Sequence, residues 1–165
     1  KEAIGIYEVV TDSSNFKDEE YYTNTNEQYN FSNGQVTRSW GTATAKRLND
    51  ENAVDDDGNN ILDQDGNQVI NYGLKTEKKR IVKQQAEGLL APTDWYIVKA
   101  TEVSDYSVPS NITTFRSAVR TKSNEMETAI NNASDAAALE TLYAYTEQED
   151  GSVTRPLGQF PTLED

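Results

Sequence analysis

Acidic side chains are the most numerous groups in this sequence that could take part in chemistry. Its 165 residues include 28 Asp and Glu, 15 Lys and Arg, and no His or Cys. The commonest general base, the commonest metal ligand and thiol chemistry are therefore missing. Carboxylates alone can act as the acid and base of glycoside hydrolysis, or as oxygen ligands for calcium. The composition leaves these two chemistries open.

Five of the acids fall in a short internal repeat that is also the candidate calcium site. VDDDGNNI (54–61) and LDQDGNQV (62–69) match at a spacing of eight residues, and Asp-Gly is a strong hairpin signal. The predicted structure is a small meander with two-residue turns at Asp57-Gly58 and Asp65-Gly66.

An EF-hand loop tests the calcium hypothesis. The first three ligands of a loop starting at position 63 would be Asp63, Asp65 and Asn67. Its sixth position is Gln68 where a glycine is needed, and its twelfth is Leu74 where a bidentate acid is needed. We therefore favour turns, with a calcium-stabilised binding module as an alternative.

The sequence contains no spacing that is typical of an enzyme. A glycine-rich phosphate loop and the serine-centred turn of the hydrolases are both missing. The paired carboxylates lie in polar segments that offer no burial to tune them. We expect a protein that is not an enzyme and that uses neither a cofactor nor a metal.

The net charge of −13 bears on the kind of partner. Nucleic-acid binding needs a basic surface, so we expect no nucleic-acid partner. No apolar run approaches the roughly 18 residues that span a membrane, and Lys1–Val10 is too short and polar for a secretion signal. We therefore expect no membrane partner. Only 35% of the residues are hydrophobic, which favours a thin fold stabilised partly by partners.

The first part of the sequence predicts β-strands. Asn33-Gly34 favours a hairpin, because both residues tolerate a positive φ. Tyr21 and Tyr22 are expected to pin a long polar loop to the sheet. The predicted elements are a strand at Ala3–Val10, a loop at Thr11–Tyr29, and hairpin arms at Gln28–Phe31 and Gln35–Trp40.

The second part predicts helices from its 3.6-residue apolar period. Pro92 disfavours helix at the residue before it, so the first helix should end there, and Tyr96–Val98 should be a short apolar run leading into a loop. Ser134 or Asp135 should cap the last helix. The predicted helices are Leu74–Ala91, Ser110–Asn132 and Ala136 to about Tyr145.

Strand signals that precede helix signals without alternating predict an α+β fold. We expect antiparallel β-hairpins and a meander, followed by a helical hairpin and a third helix. The expected regions are residues 1–73, β-rich with the Asp-Gly insertion; residues 74–145, a helical module; and residues 146–165, an extended tail.

The residues around the helical hairpin are the candidate site. Trp95, Tyr96 and Phe115 are predicted to be structural anchors, with Trp95 buried against the apolar stripe of the second helix. Arg116 and Arg120 should lie one turn apart. They would either pair with acids such as Asp94 or contact another subunit.

The C-terminal tail is the other candidate interaction segment. Pro156, Gly158 and Pro161 disfavour helix there. Leu157, Phe160 and Leu163 are expected to dock on a neighbouring chain, with Phe160 most buried, in an otherwise mobile tail. The rival outcome is a tail that folds back and covers Trp95.

LLAPTDWYIVKATEV (89–103) followed by VPSNITTFRSAVR (108–120) resembles the C-terminal helical module of tailed-phage tail-fibre assembly proteins and their tail-associated relatives. That module has a helix ending in Leu-Leu, a Thr-Asp-Trp turn, and a Pro-led helix with an aromatic, Arg, Ala, aliphatic, Arg pattern. Gly5-Ile6-Tyr7, Val36–Trp40 and Phe160-Pro161 are also similar to that family. The Asp-Gly meander is an insertion, and the third helix is an extension of a kind associated with phages of marine bacteria.

The resemblance implies a structural component of a phage tail or tail-fibre apparatus that acts in the virion through protein–protein contacts. Its partners would be other phage tail or fibre proteins, or copies of itself. The alternative is a tail-fibre assembly chaperone that is not retained in the particle. The expected location is the virion tail, with the host cytoplasm during assembly.

Overall fold

The computed structural model describes residues 5–164. Contacts divide the chain into two compact units, Lys1–Arg47 and Leu48–Asp165, called here the N-terminal and C-terminal units. The helices are α1 (Leu74–Leu90), α2 (Asp94–Glu102), α3 (Ser110–Asn132) and α4 (Ala136–Tyr143). The strands are β1 (Val9–Thr11), β2 (Tyr22–Thr23), β3 (Gln28–Ser32), β4 (Gln35–Ser39), β5 (Thr44–Ala45), β6 (Glu51–Asn52), β7 (Ile70–Asn71), β8 (Thr146–Glu147) and β9 (Val153–Thr154).

The fold is α+β, with most strands before the helices, as predicted. The division between units falls before the meander, whereas the expected region boundary at Gly73 lies inside the C-terminal unit. The carboxylate of Asp50 explains the difference. It accepts hydrogen bonds from the Gly73 N–H and the Thr76 Oγ1, both at 2.8 Å. These bonds tie the start of α1 to the chain before the meander.

The sheet of the N-terminal unit has the order β1-β4-β3. The hairpin of β3 and β4 is confirmed, with Asn33 at φ 52° and Gly34 at φ 76°. Contrary to the expectation from its hairpins, the sheet is not purely antiparallel, because β1 runs parallel to β4. The hairpin uses one edge of β4, and the long connection over residues 12–27 returns the chain so that β1 can use the other. Ala3 and Ile4 of the predicted first strand lie outside the described residues.

The predicted loop at Thr11–Tyr29 is partly ordered by pairing. Its strand β2 pairs with β5 in antiparallel register. Among the described residues of this unit, Tyr21 and Tyr22 are the only buried hydrophobic side chains. The N-terminal unit therefore has a very small core, and most of its aromatic rings face solvent.

The Asp-Gly meander forms where the repeat predicted it, but with three-residue turns. The Gly58 N–H donates a hydrogen bond to the Asp55 carbonyl, and the Asp55 N–H donates one to the Asn59 carbonyl. Only the glycine of each turn has a positive φ, 84° at Gly58 and 82° at Gly66. The prediction of two-residue turns is wrong, because type I′ and type II′ turns both need a positive φ at the first central residue, and Asp57 does not have one. The Asp57 N–H donates a hydrogen bond to the Asp55 carboxylate, which favours the longer turn.

A closed ring of backbone hydrogen bonds joins the repeats. Ala53 N–H bonds the Val69 carbonyl, Val69 N–H bonds the Ile61 carbonyl, and Ile61 N–H bonds the Ala53 carbonyl, at 2.8–2.9 Å. These three residues are spaced by eight, as the repeat is. The ring orders a segment that has few buried apolar side chains.

The helices α1 and α3 pack together and contain most of the core. Its buried side chains are Val82 and Ala86 of α1; Ile112, Phe115, Val119, Met126 and Ile130 of α3; and Leu139 of α4. The sequence predicts helix for at least the first half of Ser110–Asn132, and α3 covers the whole range. The cap of α4 is also confirmed, since the Asp135 carboxylate accepts a 2.8 Å hydrogen bond from the Ala138 N–H.

The tail folds back on its own chain. Strands β8 and β9 pair, the Leu157 N–H bonds the Leu142 carbonyl at 2.9 Å, and Phe160 packs against Ala86, Phe115 and Val119. The prediction of a mobile tail docked on a neighbour is therefore wrong. Leu157, at 3% exposed, is more buried than Phe160, and Leu163 is 43% exposed. The tail docks on its own chain because the Phe160 side chain fills the apolar space between α1 and α3.

Candidate interaction surface

The chain after α1 continues as helix instead of ending at Pro92. Residues Ala91–Thr93 form a 3-10 turn with Pro92 in its first two positions, and α2 follows directly. A backbone N–H in the first turn of a helix has no intrahelical acceptor. The N–H that proline lacks therefore costs no hydrogen bond at this position. The prediction of an apolar run and loop after Trp95 is therefore wrong. The Thr93-Asp94 pair before an apolar run was the available signal of a helix start.

Arg116 of α3 holds the start of α2 in place. Its Nη1 donates hydrogen bonds to the Leu90 carbonyl at 3.0 Å, the Thr93 Oγ1 at 2.6 Å and the Asp94 Oδ1 at 2.7 Å. The Arg116 side chain is buried, and its residue is 8% exposed. A buried cation needs such acceptors, and charge-assisted hydrogen bonds are the strong ones. The position of α2 is thus fixed by one side chain of α3.

The two arginines have different environments. Arg116 pairs with Asp94, one of the two expected alternatives, but the pair is formed at a buried guanidinium. The burial of Arg116 in its own chain disfavours the hypothesis that it contacts another subunit. Arg120 is exposed, and its Nη1 lies 3.5 Å from the Arg116 carbonyl.

Trp95 is exposed, so the prediction of a buried anchor is wrong. It is 51% exposed, and its ring stacks on Tyr96 at 4.0 Å between centroids. The apolar stripe that it was expected to cover is filled instead by α1 and by Phe160, which pack against Phe115 and Val119. Because that stripe is already covered, Trp95 has no place in the core.

The exposed apolar side chains of α2 and its C-terminal cap form the α2 surface, which we define as Trp95, Ile97, Val98 and Val103. None of the residues of α2 is buried. At 100° per residue these four side chains are spread around the helix rather than along one stripe. Helices that are apolar on several sides are normally buried against the rest of a protein or against a partner, whereas these four side chains of α2 and its cap are exposed. The α2 surface is therefore the candidate functional site.

A cation sits beside the aromatic rings of this surface. The Lys99 Nζ lies 5.5 Å from the centroid of Trp95 and 4.2 Å from the centroid of Tyr106. Such cation–π contacts hold a long side chain in one orientation. Lys99 therefore gives the otherwise apolar surface one fixed positive charge.

The acids of the meander serve the backbone. The pKa of Asp55 lies below its ordinary value because its carboxylate accepts the Asn59 N–H, and Asn67 acts in the same way on Asp63. Within residues 5–164, no group of three or more acidic side chains is arranged to hold a metal ion. The structure thus assigns these aspartates to turn formation.

Comparisons with known protein families, with curated proteins and with solved structures found no match to this chain. In the part of the chain that the structure describes, no helix has the length and apolar character to cross a membrane. The resemblance to tail-fibre assembly proteins therefore stays a prediction.

Proposed function

We propose that this chain is a non-enzymatic structural component of a phage tail or tail-fibre apparatus and acts through protein–protein contacts in the virion. The observation that carries the proposal is the exposed α2 surface. Its partners would be other tail or fibre proteins, or copies of this chain. The protein would pass through the host cytoplasm during assembly and end in the tail.

The residues that carry the resemblance act together around this surface. Arg116 donates hydrogen bonds to both Thr93 and Asp94, whereas Trp95 follows them and is left in solvent. The buried Arg116 fixes the position of α2, although no side chain of α2 is buried in the core. This arrangement supports a role for the exposed side chains of α2 in binding a partner. Trp and Tyr are also the side chains that most often dominate binding energy at interfaces.

Trp95→Ala tests the role of the surface. We expect it to fold normally, because no buried side chain is removed, and to be incorporated into particles at least tenfold less than the wild type. Tyr145→Ala is the matched control, since Tyr145 is an aromatic residue that is 60% exposed outside α2. Incorporation of both variants at the wild-type level would contradict the proposal.

A tail-fibre assembly chaperone would use the same surface transiently. Quantitative mass spectrometry of purified particles separates the two functions. A fixed stoichiometry with other tail proteins supports the structural role. Absence from particles, together with assembly that depends on Trp95, supports the chaperone.

A further inference from the structure

The N-terminal unit contains a groove of about 690 Å³. Its aromatic side is formed by Phe16 and Trp40, and its charged side by Arg38 and Glu27. Thr11, Ser13, Thr25 and Asn26 add hydroxyl and amide groups. The size falls within the roughly 300–1,000 Å³ of small-molecule sites, and the lining mixes flat apolar rings with uncharged hydrogen-bonding groups.

The aromatic side is held in one arrangement. Phe16 meets Trp40 edge to face, with centroids 4.7 Å apart, and the Arg38 Cζ lies 4.5 Å from the Trp40 centroid. The Asn15 Nδ2 donates a 3.2 Å hydrogen bond to the Trp40 carbonyl. These contacts occur in a unit in which, over residues 5–47, the buried hydrophobic residues are two tyrosines. The rings therefore line the groove instead of filling a core.

Two of the three charged residues that line the groove, Arg38 and Glu27, are paired with each other, and the third is Glu19. The Glu27 Oε1 accepts hydrogen bonds from the Arg38 Nε at 2.6 Å and from the Tyr29 hydroxyl at 2.8 Å. Arg38 uses only Nε for this bond, so its terminal Nη groups are further donors, and the second oxygen of Glu27 is a further acceptor. The pair therefore offers planar hydrogen-bonding groups with little net charge.

The wall at residues 24–26 is preformed. The Asn24 side chain bonds both the N–H and the carbonyl of Lys17, at 3.0 and 2.8 Å. Asn26 has a left-handed φ of 54°, and the Gly41 N–H bonds the Thr25 carbonyl at 3.1 Å. A Cβ on Gly41 would lie only 3.0 Å from the Asn26 Cβ. A wall fixed in this way costs little to order when a ligand binds.

We propose that this groove binds a neutral saccharide. The C–H face of a pyranose packs on aromatic rings, and its adjacent hydroxyls pair with planar groups such as carboxylate, guanidinium and amide, which can bond two at once. The net charge of −13 disfavours an acidic sugar. The core of a protein–protein contact is depleted of charged residues, whereas three charged residues line this groove. This site is independent of the tail function proposed above.

Binding to a printed array of neutral polysaccharides and oligosaccharides, with acidic glycans as comparison spots, is the first test, using the full chain. We expect binding to at least one neutral spot. Failure to bind any neutral glycan on the array, or binding to acidic glycans alone, would overturn the proposal. Preference for polysaccharide over the matching methyl glycoside would identify a chain segment as the ligand, and equal binding a single terminal ring; both outcomes support the site.

Affinity for the array-positive sugar is then measured by fluorescence in a Trp95→Phe background, where Trp40 is the remaining tryptophan. Phe16→Ala should weaken binding at least tenfold, whereas Phe31→Ala, which removes an exposed ring outside the groove lining, should change it less than twofold. Glu27→Gln, which keeps the side-chain shape, is a second variant and should also weaken binding at least tenfold. Wild-type affinity in a folded Phe16→Ala or Glu27→Gln variant would place the sugar elsewhere and overturn the proposal.

Discussion

Arg116 and Asp94 join α3 to the start of α2, with the Arg116 Nη1 2.7 Å from the Asp94 Oδ1. The same nitrogen reaches the Thr93 hydroxyl and the Leu90 carbonyl. Acceptors from three consecutive parts of the chain therefore converge on one guanidinium: the end of α1, the 3-10 turn and the first residue of α2. The direction in which α2 leaves the 3-10 turn therefore depends on these hydrogen bonds.

Arg116→Met should lower the free energy of unfolding. The methionine keeps the apolar stem, so the loss reports the charge-assisted hydrogen bonds, and we expect about 1.5–3 kcal/mol. Arg120→Met, on the same helix but exposed, should change it by about 0.5 kcal/mol or less. Urea unfolding followed by circular dichroism measures both. Equal effects of the two variants would show that the bond network is not stabilising.

The two long helices could be predicted from sequence because their signals are local. Pro109 and the apolar period placed the start and the first half of α3, and the helix extends over the whole range to Asn132. The helix α2 was missed because Pro92 was interpreted as a stop, although a proline is compatible with the first turn of a following helix. Pro92 is compatible with either the end of one helix or the first turn of the next, and the prediction followed the first of these interpretations.

The candidate site depended on contacts between distant segments. The exposure of Trp95 could not be inferred from its neighbours in the sequence. Phe160 packs against Phe115 in the place expected for Trp95, so Trp95 stays in solvent. The bonds of Arg116 to Thr93 likewise join residues far apart in sequence. Periodicity predicts which face of a helix is apolar, but not which of several aromatic residues will cover it.

Gly73→Ala should destabilise the C-terminal unit. A Cβ at Gly73 would lie 2.5 Å from the Asn49 carbonyl group and 2.6 Å from the Leu48 oxygen, so the backbone must shift, at a cost of about 1–3 kcal/mol. Gly88→Ala is the opposite control. Its Cβ would meet nothing within 4 Å on α1, and we expect it to stabilise the helix by about 0.5–1 kcal/mol. Chemical denaturation of both variants checks the difference in sign.

Leu157→Ala should show that the tail is part of the fold. Leu157 is 3% exposed, and its truncation should cost about 2–5 kcal/mol. Leu163→Ala, at a residue that is largely exposed, should cost about 0.5 kcal/mol or less. Truncation after Tyr145 should also lower the melting temperature strongly. An unchanged melting temperature after truncation would contradict the self-docked tail.

The cap of α4 should make part of the stability depend on acid. The pKa of Asp135 lies below its ordinary value of 3.8, chiefly because its carboxylate accepts the Ala138 N–H and also a hydrogen bond from Ser134. A group whose pKa is lowered on folding stabilises the protein fully above its unfolded value, and this stabilisation is lost as the pH falls through the folded value. Asp135→Ala should therefore lower the melting temperature at pH 7.

The difference from the wild type should narrow as the pH falls below 3.8, because protonation weakens the carboxylate as an acceptor for the Ala138 N–H. Asp105→Ala, at an exposed acid in the loop before α3, is the control and should leave the melting temperature near the wild-type value at pH 7. Thermal unfolding from pH 7 to pH 2.5 measures the effect. A difference between Asp135→Ala and wild type that stays constant over this range would show that the helix cap does not depend on the charge of Asp135.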